Sequence, residues 1–197
     1  MIVVGLTGSI GMGKSAVTAM FRKSGVPVFD ADAAVHQLQA PGGILLPRIE
    51  ARFPGTTGPN GVDRQKLGAA VFGKPEALKA LEAIIHPAVA AMRSRWLRRH
   101  RSRDVIGLDI PLLFEKKGWK SVDAIVVVSA PAWMQRKRVL ARPGMTPAKF
   151  ARIKALQTPD AQKRRRADYV IETGYLRSET GRAVRLLVAC LKARKGR

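Results

Sequence analysis

The residues Gly8-Ser-Ile-Gly-Met-Gly-Lys14-Ser15 match the spacing G-x-x-x-x-G-K-[ST], and that spacing suits the chemistry of phosphate. A turn with glycine at 8, 11 and 13 lets successive backbone N–H groups converge on a phosphate chain, since no side chain blocks the approach. Lys14 would then reach the β- and γ-phosphates, and the Ser15 hydroxyl would bind Mg²⁺. The positive end of a following helix favours the same negative charge. A flexible glycine turn is the plain alternative, and the flanks argue against it. Ile2–Leu6 reads as a buried strand and Ser15–Lys23 as a helix, which gives the order strand, glycine turn, helix.

Other residues could serve that chemistry. Asp30 and Asp32 follow the short apolar strand Gly25–Phe29, and in an open parallel sheet the carboxyl end of a strand is where ligands bind. Either aspartate could take a proton from an attacking hydroxyl, and either could cap the helix Ala33–Gln39. Asp109 ends the third strand, Val105–Ile110. There it could act through water on Mg²⁺, or only hydrogen-bond Ser15 or the loop. His86-Pro87 falls within a long amphipathic stretch that starts at Pro75. Pro87 should interrupt and kink it, turning His86 outward or into a cleft.

These groups need a scaffold. Asp123–Ser129 reads as a fourth strand followed by the helix Pro131–Ala141, and Asp168–Ile171 as a fifth strand. Strands that alternate with helices imply a parallel sheet covered by helices. Between strands two and three the pattern is helical: Ile44–Phe53, a loop Pro54–Gly61, Arg64–Phe72 capped by Asp63, then the stretch from Pro75. Arg142–Thr146 breaks the chain before a basic helix, Pro147–Gln157, as a closing lid would require. A final helix, Ser178–Lys192, leads into a basic tail expected to be frayed.

A chain of 197 residues suits one compact domain with an insertion. Cys190 is the only cysteine, so no internal disulfide can form, and the reading is a cytoplasmic protein. Met1–Leu6 lacks the basic region of a signal peptide, and no apolar run approaches the roughly 20 residues of a membrane helix. The formal charge of +22 asks for polyanionic partners. One cluster, Arg93 to Arg103, reads as a solvated helix end. The second, Arg136, Lys137, Arg138, Arg142 and Lys163 to Arg166, sits where a phosphate-handling lid would be. No recognition motif or aromatic stacking platform supports a specific nucleic-acid partner.

Taken together, the phosphate loop, Asp30-Ala-Asp32, Ile85-His86-Pro87, Asp109-Ile-Pro-Leu-Leu-Phe-Glu115, Arg152–Gln157 and Lys163–Ile171 resemble dephospho-coenzyme A kinase over about residues 1–175. The resemblance implies an α/β, P-loop NTPase three-layer fold with a five-stranded parallel sheet, a helical substrate-binding insertion and a helical lid. The nucleotide-binding core would be about 1–40, 104–141 and 167–197, the CoA-binding insertion about 42–103 and the lid about 142–166. The implied reaction moves the ATP γ-phosphate, with Mg²⁺, to the ribose 3′-hydroxyl of dephospho-CoA, in a monomer or weak homo-oligomer. Gly8, Gly11, Met12, Gly13, Lys14, Ser15 and Ala16 would contact ATP, with Ser15 and Asp109 at the metal. Asp32 would be the base, and His86, Pro87, Asp109 and Leu112 would lie at the substrate. Arg142 and Arg152 would be lid arginines on the phosphates, and Gln157 would pack in the same segment. Ala16 stands where the family commonly has threonine, and Thr173 where an asparagine is common. Another small-molecule kinase on the same scaffold is the neighbouring reading, and the long helical segment favours a pantetheine-bearing substrate.

Overall fold

The structure is a computed structural model and describes residues 1–195 of the chain. The described residues pack as two compact units, one of Met1–Phe29 with the chain from His100 onward, the other of Asp30–Arg99. In chain order the elements are β1 (Ile2–Thr7), α1 (Lys14–Lys23), β2 (Val28–Asp30), α2 (Ala31–Gln39), α3 (Leu46–Arg52), β3 (Thr57–Gly58), β4 (Gly61–Val62), α4 (Arg64–Val71) and α5 (Pro75–Arg99). There follow β5 (Val105–Asp109), β6 (Ala124–Ser129), α6 (Ala132–Leu140), α7 (Pro147–Ala155), α8 (Asp160–Arg165), β7 (Tyr169–Glu172) and α9 (Arg177–Lys195).

The five long-range strands form one sheet in the order β2-β5-β1-β6-β7, with β1 at its centre. β1 pairs parallel with β5 from Ile2↔Val105 to Leu6↔Asp109, and with β6 from Val4↔Ala124 to Thr7↔Val127. Near-continuous burial of β5 and β6 follows from a parallel sheet covered on both faces. On one face Val4, Leu6, Val126 and Val128 join Val17 and Phe21 of α1 and Val184, Leu187 and Leu191 of α9. Gly5 points the other way, because successive strand residues alternate, and a Cβ there would lie 3.2 Å from Leu113 and Val122. α9 reaches Lys195, past the expected end at Lys192. The rest of the basic tail, Gly196 and Arg197, lies outside the described residues.

The unit Asp30–Arg99 has its own apolar cluster, built from Leu38, Leu45, Ile49, Phe53, Leu67, Leu81 and Ile84. Asp30 caps α2 by accepting from Ala33 N at 2.9 Å, and Asp63 caps α4 by accepting from Gln65 N and Lys66 N, both at 3.0 Å. The stretch expected to be a plain loop contains the hairpin β3–β4, fastened by the Glu50 carboxylate, which accepts from Thr57 N, Thr57 Oγ1 and Gly55 N. Pro87 does not interrupt the amphipathic stretch, because α5 runs unbroken from Pro75 to Arg99 with Pro87 inside it. Pro87 and Ala83 are both exposed, so the carbonyl that loses its intrahelical donor faces water, while Leu81 and Ile84 hold the helix by burial.

Candidate functional site

The turn between β1 and α1 owes its shape to its glycines, and the reason is internal to the fold. Gly11 and Gly13 have φ of 79° and 87°, in the left-handed region that side chains resist. A Cβ on Gly11 would come within 2.5 Å of Val139 Cγ2, one on Gly8 within 2.7 Å of the Val128 carbonyl oxygen, and one on Gly13 within 3.0 Å of Thr173 Oγ1. The loop is therefore pressed directly onto β6, α6 and the end of β7. Gly13 is the N-cap of α1 and contributes no capping side chain, which leaves the positive end of the helix to an anion.

Side chains from distant parts of the chain brace this loop. Met12 is 3% exposed; its carbonyl accepts from Thr173 Oγ1 at 2.7 Å and its Sδ from Ala130 N at 3.2 Å. Arg138 grips Thr173 twice, donating from Nη1 to Oγ1 at 2.9 Å and from Nη2 to the carbonyl at 2.7 Å. Gln157 Oε1 accepts from Ile10 N at 3.0 Å, and Gln135 Nε2 donates to Ile10 O at 2.8 Å. A cavity of about 300 Å³ borders the loop, with walls that include Ser9, Met12, Gln135, Lys154, Gln157 and Asp160.

At the end of β5, Asp109 is 3% exposed and carries the main charge pairing of the site. Its Oδ1 takes the ammonium of Lys14 in an ion pair, and its Oδ2 accepts from Thr18 Oγ1 at 2.8 Å. Of the partners expected for Asp109, neither Ser15 nor the loop backbone bonds to it among the described residues. Lys14 and Thr18 take its two oxygens instead. Thr18 escaped the sequence reading, although its position one helical turn beyond Lys14 puts the two on one face. Ser15 and Ala16 stand exposed on the first turn of α1.

The remaining expected residues are placed as follows. Leu112 is 38% exposed in the segment after β5. Arg142 follows α6 and Arg152 lies on α7; both are exposed, with no side-chain hydrogen bond or ion pair among the described residues. In the other unit, Asp32 lies exposed in the first turn of α2, directly after the capping Asp30, and His86 and Pro87 are exposed on α5.

Within the second basic cluster, Arg138, Lys163, Arg164 and Arg166 have partners in the fold. Lys163 is 0% exposed and its Nζ lies 3.0 Å from Glu115 Oε1. Arg164 pairs with Glu172, Arg166 stacks over Phe114 at 4.7 Å and Trp119 at 5.3 Å, and Arg138 holds Thr173. Glu115 also accepts from Thr158 N at 2.7 Å. Burial pushes its carboxyl up, but the Thr158 N–H, its own backbone N–H and the bond and charge of Lys163 outweigh that and hold it below the usual 4.5.

The sequence model of the dephospho-CoA kinase family (CoaE) matches residues 2–177. A dephospho-CoA kinase of Novosphingobium aromaticivorans is 63% identical over 195 residues, covering 99% of this chain and 97% of that protein. One of Zymomonas mobilis is 51% identical over 191 residues, covering 97% of each. Among solved structures, a protein of Thermus thermophilus superposes with a TM-score of 0.84 at 35% identity, covering 96% of this chain and 97% of that one. A glycine loop fixed by its own packing, a lysine and buried aspartate at the carboxyl edge of a five-stranded parallel sheet, and these matches over nearly the whole length lead to one conclusion: the chain belongs to the dephospho-CoA kinase family of P-loop kinases.

Proposed function

We infer that this chain transfers the γ-phosphoryl group of ATP to the ribose 3′-hydroxyl of dephospho-CoA, giving coenzyme A and ADP in the last step of coenzyme A biosynthesis. The observation that carries the reading is the Lys14–Asp109 pair beside a rigid glycine loop at the start of α1, within a chain of this family. Phosphoryl transfer asks a protein mainly for positioning and for positive charge around the moving group. The loop and the helix end supply N–H groups for the phosphate chain, and the phosphates compete with Asp109 for the Lys14 ammonium.

Ser15 and Asp109 offer a hydroxyl and a carboxylate, the hard oxygen donors Mg²⁺ takes, and these two residues would hold it together with the phosphates. When bound, the ion would neutralise charge on the β- and γ-phosphate oxygens. Asp32, exposed in the first turn of α2 next to the capping Asp30, takes the proton of the 3′-hydroxyl. Arg142 and Arg152, exposed along a lid of about residues 142–166, come onto the phosphates. The helical segment of about 42–103 receives the pantetheine-bearing substrate, with His86, Pro87 and Leu112 at its contacts. No helix among the described residues is long and apolar enough to cross a membrane. We place the reaction in the cytoplasm, which a lone exposed cysteine suits, in a monomer or weak homo-oligomer.

The test is ADP release from Mg²⁺-ATP with and without dephospho-CoA, with adenosine and common nucleotides as competing acceptors. Turnover that depends on dephospho-CoA and yields a 3′-phosphorylated product is expected. ATP binding without any phosphorylated acceptor, or preference for a nucleotide, would sink the reading. In the same assay Asp32→Asn should lose on the order of 10²- to 10⁴-fold in rate with an unchanged unfolding transition, and near-normal turnover would remove Asp32 from its role.

A further inference from the structure

The backbone of Ile10, within the phosphate loop, is held by two glutamine side chains. Its N–H is taken by Gln157 Oε1 at 3.0 Å and its carbonyl receives Gln135 Nε2 at 2.8 Å. The backbone fixes which end of each amide faces it, because an N–H is met only by the oxygen and a carbonyl only by the NH₂. Gln135 is 2% exposed on α6, and Gln157 follows α7, so the two reach the loop from either side of the segment 142–155. Gln157 is itself anchored, since the next residue, Thr158, donates its N–H to Glu115.

Such restraint has a purpose in a loop of this composition. Gly11 and Gly13 follow directly, and glycine backbones visit many conformations when nothing outside holds them. Neither of the two peptide planes that meet at Ile10 can rotate without breaking a hydrogen bond, since Gln157 holds the Ser9–Ile10 plane and Gln135 the Ile10–Gly11 plane, so the N–H groups that follow keep their direction. Neither glutamine carries charge or a nucleophile, and their bonds end on the protein backbone.

We infer that Gln157 and Gln135 are positioning residues for ATP, acting through Ile10 to fix the N–H groups that receive the phosphate chain. The inference rests on the reading of this loop as the ATP site. It requires that loss of either bond falls on ATP affinity and leaves the acceptor untouched. It also requires that the two losses are not independent, because they act on adjacent peptides that share the Ile10 Cα.

The experiment uses the full chain and pairs two substitutions at one position. Gln157→Met keeps the length of the side chain and removes the acceptor, whereas Gln157→Glu keeps an oxygen facing Ile10 N. Steady-state kinetics and direct ATP titration are read for each, with thermal unfolding as a control. Gln157→Met should raise the KM and Kd for ATP about 5- to 10-fold, the scale of one lost hydrogen bond, with the KM for dephospho-CoA unchanged and Gln157→Glu within about threefold of wild type. Gln135→Met should shift ATP affinity in the same direction, and the double variant should lose less than the product of the single losses. ATP affinity unchanged in Gln157→Met and Gln135→Met, equal losses in the Met and Glu variants at 157, or a change confined to dephospho-CoA would each overturn the inference. If Gln157→Met does not fold, Gln135→Met and Gln157→Glu carry the same comparison. ATP binding by a wild-type chain that shows no dephospho-CoA turnover would defeat the assigned reaction alone, and the titration would still decide the roles of the glutamines.

Discussion

Replacing Glu115 with leucine should destabilise the fold through its buried partner, Lys163. That lysine is 0% exposed, and its ammonium lies 3.0 Å from the Glu115 carboxylate. Without Glu115 the ammonium is left buried and uncompensated, a loss of about 3–5 kcal/mol when one partner of a buried pair is removed. Neutralising a lysine ammonium at pH 7 costs about 4.6 kcal/mol, which caps the charge contribution. The Thr158 N–H, 2.7 Å from Glu115, also loses its acceptor, for about 1–3 kcal/mol if it stays buried. At about 2–4 °C per kcal/mol for a chain of this size, Glu115→Leu should melt roughly 6–20 °C below wild type.

Adding Lys163→Met removes the orphan charge, so the double variant should recover most of the loss. The Glu115 carboxyl is held below its ordinary 4.5, so its contribution is complete above that pH and is lost as pH falls through the lower folded value. The gap between wild type and Glu115→Leu should therefore close in acid. Thermal unfolding followed by circular dichroism, from neutral pH downward, measures both effects. A single variant that melts within about 3 °C of wild type at pH 7, or a double variant no better than the single, would refute the reasoning.

Two other perturbations probe the loop itself. Gly11→Ala forces a side chain onto a φ of 79° and into contact with Val139 Cγ2 at 2.5 Å, which should cost about 2–4 kcal/mol in urea unfolding and weaken ATP binding. Wild-type unfolding with wild-type ATP affinity would contradict it. Thr173→Val removes the hydroxyl between Met12 and Arg138 and should cost about 1–3 kcal/mol in the same unfolding assay, with a raised KM for ATP. Thr173→Ser should restore both, and a serine variant as impaired as the valine variant would show that the methyl group, rather than the hydroxyl, matters.

Much of the scaffold could be read from the chain because its rules are local. Apolar runs at 2–6, 105–110 and 123–129 became β1, β5 and β6, and Asp30 and Asp63 cap the helices that follow them. The phosphate loop was legible because its spacing carries the mechanism. What was missed depends on partners far along the chain. Gln135 and Gln157 meet Ile10 across 125 and 147 positions, and neither residue type signals such a contact. Lys163, read among the charges of a phosphate-handling lid, is buried against Glu115, and burial of a lysine is decided by a partner that lies far along the chain. Pro87 shows a local rule giving way: one missing N–H on a water-facing turn is outweighed by the burial of the opposite face of α5. Thr173, read as a departure from the family at the nucleotide, proved to brace the loop backbone.

The placement of β1 at the centre of the sheet bears on how the chain is made. Its first pairing partner, opposite Ile2, is Val105, and the second, opposite Val4, is Ala124. A ribosome that has delivered the phosphate loop must therefore add about a hundred residues before that loop has a sheet to rest on. The cluster of Asp30–Arg99 draws only on its own residues, with Leu38 and Ile84 among them, and is complete in sequence before β5 emerges. During synthesis the order is thus inverted, with the inner segment able to collapse while the first strand still waits for its neighbours.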